Sequence, residues 1–135
     1  MRRETSENEQ KFLFWGKPNF MFIQLKHKSL DVYQAIRDLV TETYKVSLKL
    51  TTEEKFNMVQ QMRRAALSVK LNFAEGCTRK SPQERKRYFE VSRGSVVEID
   101  AVLETAVDLG YFKMENLKVS GQLLNRCFAM LTKMR

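Results

Sequence analysis

From Ser29 onward, apolar residues recur at spacings of three and four, the period of a helix with one buried face. Leu30, Tyr33, Ile36, Val40, Tyr44 and Leu48 mark a first helix, with Ser29 placed to cap it. Thr51 and Glu54 stand in capping-box spacing ahead of a second. Its stripe runs through Phe56, Val59, Met62, Ala66, Val69 and Phe73 and stops at Gly76, where a glycine just past the last periodic residue ends a helix. Ser81, Pro82 and Glu84 supply N-cap, N1 and N3 of a third helix, the clearest start signal in the chain. Phe89, Ser92, Val96, Ile99, Leu103 and Ala106 form its inner stripe as far as Leu109-Gly110. A fourth helix, from about Asn116, carries Leu117, Leu124, Cys127, Phe128 and Leu131. Four amphipathic helices joined by short connections predict an all-α fold, an antiparallel up-down-up-down four-helix bundle over residues 29–135.

Residues 1–28 keep no such period and read as an irregular N-terminal extension. They open charged, pass through Phe12, Leu13, Phe14 and Trp15, break at Gly16-Lys17-Pro18 and resume at Phe20-Met21-Phe22-Ile23. The segment reads as a clamp over a neighbouring surface, as flexible chain, or as an upstream extension with Met21 the natural start. Its polar, acidic opening does not suit a signal peptide. No apolar run reaches the roughly 18 residues of a membrane span.

The second and third helices are apolar beyond their main stripes, at Leu67, Leu71 and Ala74 and at Val91, Val97 and Val102. A monomeric bundle needs only a narrow apolar face, so this surplus is expected to serve homo-oligomerisation, scattered surface apolars being the alternative. Composition agrees with one globular domain: 135 residues, 43% hydrophobic, 30% charged, with only 5 Gly and 2 Pro. Cys77 and Cys127 lack metal-like spacing and are expected as free thiols in a reducing cytoplasm. The formal net charge of +8 changes the picture more, because it favours a polyanionic partner, nucleic acid first.

That charge is concentrated. Arg79, Lys80, Arg85, Lys86 and Arg87 lie within nine positions around the corner between the second and third helices, and Arg93 follows. Cations in the first turns of a helix are unfavourable by roughly 0.3–1 kcal/mol each. The later half of the same helix carries Glu98, Asp100, Glu104 and Asp108, again against the macrodipole. Three readings stand: a phosphate-binding rim, basic ends facing acidic ends between subunits, or a solvated face. Arg63 and Arg64, mid-helix, either pair with the acidic half of the third helix or join Lys70 and the corner as one backbone-tracking surface. Lys118, Arg126, Lys133 and Arg135 make the last helix a second candidate surface. Tyr88 alone beside the basic run offers little for base stacking, so backbone-led binding with little sequence readout is expected.

Asn72, Glu75, Ser95 and Glu98 are the polar residues expected to be partly buried, with structural roles at helix ends or between helices. Gly94-Ser95 is expected to admit another helix closely. A carboxylate-bridged metal site would need Glu-x-x-His pairs, whereas the single histidine, His27, falls outside the predicted bundle. No nucleophile–base arrangement or phosphate loop is present in the pattern, and a non-catalytic protein without cofactor or metal is expected.

The blocks Arg63-Arg64-Ala65-Ala66, Ser68-Val69 and Asn72-Phe73-Ala74-Glu75-Gly76, then Ser81, Arg87-Tyr88-Phe89, Gly94-Ser95-Val96 with Glu98 and Leu109-Gly110-Tyr111, resemble the four-helix proteins of the 23S rRNA intervening-sequence type. The resemblance runs from about Leu25 to the C-terminus. Relatives of that family act as accessory subunits of diversity-generating retroelements, where a basic pentameric ring works with a reverse transcriptase and template RNA. It therefore implies a homopentamer, an RNA or DNA setting, a possible reverse-transcriptase partner and no catalytic residues.

Overall fold

The computed structural model describes residues 21–134. Within them the chain is all-helical, with four long helices and no strand: α1 Asp31–Ser47, α2 Met58–Thr78, α3 Pro82–Asp108 and α4 Lys118–Met134. Short 3-10 turns at Lys26–Ser29, Thr52–Glu54 and Met114–Leu117 lead into α1, α2 and α4. Much of the notional N-terminal extension, and Arg135, lie outside the described residues.

One core joins the four helices. Ile36 and Leu39 of α1, Met62, Val69 and Phe73 of α2, Phe89, Val96 and Ile99 of α3, and Cys127 and Leu131 of α4 are among its most deeply buried residues. The α3 stripe from Phe89 to Ala106 is buried at every expected position. α2 and α3 pack along most of their length, and residue numbers fall on one as they rise on the other. Gln61 donates to Glu98 at 2.9 Å, Ser68 and Ser95 hydroxyls lie 2.7 Å apart, and Ser92 donates to Val69 O at 2.7 Å.

Helix starts and ends explain where the sequence pattern misled. α3 begins as expected, with Ser81 Oγ accepting from Glu84 N at 3.4 Å and Pro82 at N1. It ends in a Schellman pair: Tyr111 N donates to Ala106 O at 2.9 Å and Gly110 N to Val107 O at 3.0 Å, with Gly110 at φ 83°. Ser29, however, does not cap α1. It closes the preceding 3-10 turn by donating to Lys26 O at 2.9 Å, and Leu30 takes the cap position without a side-chain bond. Thr51 and Glu54 form no capping box either, since the 3-10 turn between them delays α2 until Met58. Glu54 instead accepts from the Tyr111 hydroxyl at 2.8 Å. Because α2 starts later than its pattern suggested, Phe56 falls outside the helix and is exposed. Leu48, the C-cap of α1, is exposed too.

Gly76 also has a different role from the expected one. α2 continues to Thr78, and Gly76 is buried in its last turn. A Cβ there would sit 2.8 Å from Phe89 Cε1 and 2.9 Å from Tyr88 Cβ, so glycine lets the start of α3 cross against α2. A Cβ at Gly94, by contrast, would meet nothing within 4 Å among the described residues, so Gly94 admits none of the four helices closely. His27, placed outside the bundle by its position, is buried against it. Its ring lies edge-on to Tyr33 at 5.2 Å and Phe73 at 6.0 Å, and Phe73 in turn packs on Phe89 at 5.6 Å. This aromatic row ties the chain before α1 to the α2–α3 corner.

Candidate nucleic-acid interface

The corner residues do not act alike. Arg79 pairs with Glu75 one turn back, donates to the Tyr88 hydroxyl at 3.2 Å and lies 5.1 Å from that ring. Arg85 reaches backward across the turn. Its guanidinium donates to Cys77 O at 3.3 Å and Arg79 O at 3.2 Å, two carbonyls freed at the end of α2, while stacking 5.8 Å from Phe89. A cation that is unfavourable at the start of α3 is thus favourable at the end of α2, where orphan carbonyls and the negative end of the dipole converge. For Arg85 the apparent conflict with the macrodipole is resolved by the neighbouring helix.

Two further arginines are absorbed into packing. Arg63 donates to Ser47 Oγ at 2.8 Å and lies 4.8 Å over Tyr44, so it docks α2 on α1 and does not pair with the acidic half of α3. Arg93 donates to Thr132 Oγ1 at 2.7 Å and lies 4.3 Å over Phe128, fastening α3 to α4 and leaving the expected rim. A planar guanidinium that can stack and hydrogen-bond at once suits this use. Among the described residues, Arg64, Lys80, Lys86 and Arg87 are exposed and make no hydrogen bond, ion pair or ring contact. These four side chains are available to an anion.

Lys70 is placed differently again. It is half-buried, with its ammonium 5.7 Å over Tyr33, and its pKa is lowered by burial and by the nearby charges of Arg37 and Lys28. The fold thus gathers Lys28, Arg37 and Lys70 from three elements, a grouping that linear spacing does not display. Lys28 also donates to Ile23 O and lies 5.9 Å over the exposed ring of Phe22.

The polar quartet divides. Ser95 is buried against Ser68, whose hydroxyl also accepts from Asn72 Nδ2 at 3.0 Å, so these residues fix α2 against α3. Glu75 and Glu98 are exposed, contrary to expectation: Glu75 serves Arg79 and Glu98 serves Gln61. Ser92, missed as a polar contact because it falls on the inner stripe, makes the most buried bond between the two helices.

Both thiols are free. Burial raises Cys77, an effect that Arg85 opposes, and pushes Cys127 up to about 12. Among the described residues no cluster of three or more His, Cys, Asp or Glu side chains is arranged to hold a metal. No helix there is long and apolar enough to cross a membrane.

A sequence model of the family described as 23S rRNA-intervening sequence protein matches residues 28–133. No curated protein matches the chain.

Proposed function

The chain belongs to the 23S rRNA-intervening sequence protein family, and on that premise we propose that it is a non-catalytic, cytoplasmic accessory protein that holds RNA or DNA backbone on its basic end. The observation that carries this reading is the division of labour among the cations. Arg63, Arg79, Arg85 and Arg93 are engaged in packing, yet Lys80, Lys86 and Arg87 remain exposed and unneutralised at one corner. Charge kept there despite an adverse helix dipole is best explained by a polyanion that pairs with it. Among the described residues the corner's one half-buried aromatic beside the free cations, Tyr88, already has Arg79 over its ring, so binding there follows phosphate positions and duplex shape, and sequence counts little.

We infer that the helices alternate in direction, up-down-up-down, and that copies of the chain assemble through the α2–α3 face, as a pentameric ring by analogy with the resemblance. Leu67, Leu71 and Val91 stay exposed off the core stripes of α2 and α3, which supports a buried contact between copies, whereas the exposed Val97 lies beside Leu124 and Phe128 of α4. Five copies of a +8 chain need a polyanion nearby, and an RNA template shared with a reverse transcriptase fits that need.

The same exposed face favours a second reading, a homo-oligomeric scaffold with no nucleic-acid ligand. Titrating the protein with a structured RNA and a duplex DNA, with assembly mass measured alongside, separates the two. Binding that weakens by orders of magnitude between about 50 and 200 mM salt is expected. An intact assembly that binds neither probe at the lower salt leaves the scaffold.

A further inference from the structure

Three cations meet where α1, α2 and the chain ahead of α1 come together. Tyr33 and Arg37 are one turn apart on α1 and therefore share a face. Lys70 crosses to that face from α2, its ammonium over Tyr33, and Lys28 adds a charge from the 3-10 turn seated by His27. Among the described residues no carboxylate pairs with any of the three. Burial and both neighbours act in one direction on Lys70, against its charge. A cluster of this kind is unfavourable in the isolated protein and is relieved when an anion enters it. Beside it stands Phe22, 67% exposed, with Lys28 over its ring. An exposed aromatic ring under Lys28, itself one of three clustered cations, offers the two parts needed for an unpaired nucleotide: a surface for the base and a seat for the phosphate.

We infer that Lys28, Arg37 and Lys70 seat a phosphate of single-stranded RNA or DNA whose base stacks on Phe22. The inference rests on the nucleic-acid reading above and deepens it, because it adds a strand-selective subsite to a corner that reads only backbone. The Lys80–Lys86–Arg87 corner serves any phosphate chain. The Phe22 seat accepts only a strand whose bases are free, since stacked and paired bases in a duplex present no open face. The buried row His27, Phe73, Phe89 links the chain carrying the seat to the start of α3, where the corner lies.

The test uses the full chain and two probes of equal phosphate count, an oligouridine RNA and a blunt RNA duplex, in moderate salt. Phe22→Ala is expected to weaken oligouridine binding by about five-fold or more and leave duplex binding unchanged. Arg37→Ala should flatten the salt dependence for oligouridine by about 0.7 in logarithmic slope, the value for one single-strand phosphate. Lys70→Arg should retain binding that Lys70→Ala loses. Phe22 is exposed, so its replacement leaves the thermal midpoint unchanged and the comparison is made on folded protein. Unaltered oligouridine affinity in Phe22→Ala, or an equal loss on both probes, overturns the seat. The wider reading has its own arm: if Lys80, Lys86 and Arg87 replaced together by Ala leave duplex binding intact, the corner has no backbone role, whatever Phe22 does.

Discussion

At the scale of single residues, the molecule turns on close approaches that depend on side chains far apart in the sequence. Gly76 is the sharpest case. Its missing Cβ lets Phe89 and the root of Tyr88 lie against α2, and neither atom is the free end of a flexible chain. Gly76→Ala should therefore destabilise the fold by about 1–3 kcal/mol, the usual cost of overpacking, read from the urea midpoint. An unchanged midpoint would mean the corner has slack that the geometry denies. His27 makes a prediction about pH. Burial and Lys28 lower its pKa, so in the folded state it resists a proton that the unfolded chain takes up below about 6.5. Stability contributed by neutral His27 is present above that value and is lost as pH falls from it toward the lower folded value. His27→Phe should flatten that part of the stability profile. Cys127, buried with its thiol pushed up to about 12, should react with a thiol reagent far more slowly than Cys77 under native conditions, and Cys77→Ser should remove the fast phase. The periodic pattern identified Cys127 as core and Gly76 as a helix end, and left His27 outside the bundle. It could not show that Gly76 accommodates Phe89 or that His27 reaches Phe73, because both contacts are tertiary.

At the scale of elements, helix bodies were legible and helix ends only where the cap was local. Ser81, Pro82 and Glu84 act within one turn, and Gly110 has the positive φ that its Schellman end requires. Ser29 failed as a cap because it ends the 3-10 turn ahead of α1 and its hydroxyl turns back to Lys26 O, and Thr51 because a 3-10 turn separates it from α2. Arg85 shows the opposite case, a residue of one helix that closes the end of another. Ser81→Ala should cost about 0.5–1 kcal/mol, toward the lower part of the N-cap range because the cap bond is long. Arg85→Ala should cost about 1 kcal/mol by freeing two carbonyls of α2, with little change in nucleic-acid affinity. The paired measurement distinguishes packing from binding: a large loss of affinity with unchanged stability would place Arg85 on the ligand instead. Charge type explains why the candidate list needed division. An arginine in sequence looks alike whether it lies on Tyr44, Tyr88 or Phe128 or faces solvent, and only the packed helices show which.

At the scale of the whole molecule, the described residues form four helices around one core, with exposed apolar side chains on α2 and α3, among them Leu67, Leu71 and Val91, and a basic end. Of the surplus apolar positions off the main stripes, Leu67, Leu71, Val91 and Val97 are exposed, while Ala74 and Val102 are partly buried and Val102 packs against the core. The corner at Arg79–Arg87 was visible as a charge run, but the Lys28–Arg37–Lys70 group was not, since it assembles from three elements separated in sequence. The most direct test compares the wild-type chain with Lys80, Lys86 and Arg87 all replaced by Ala, binding one RNA duplex across a salt series. Three lost phosphate contacts should flatten the logarithmic salt slope by about 2–3, with thermal stability and assembly mass unchanged. A variant that binds with the wild-type slope would contradict the role given to the basic end.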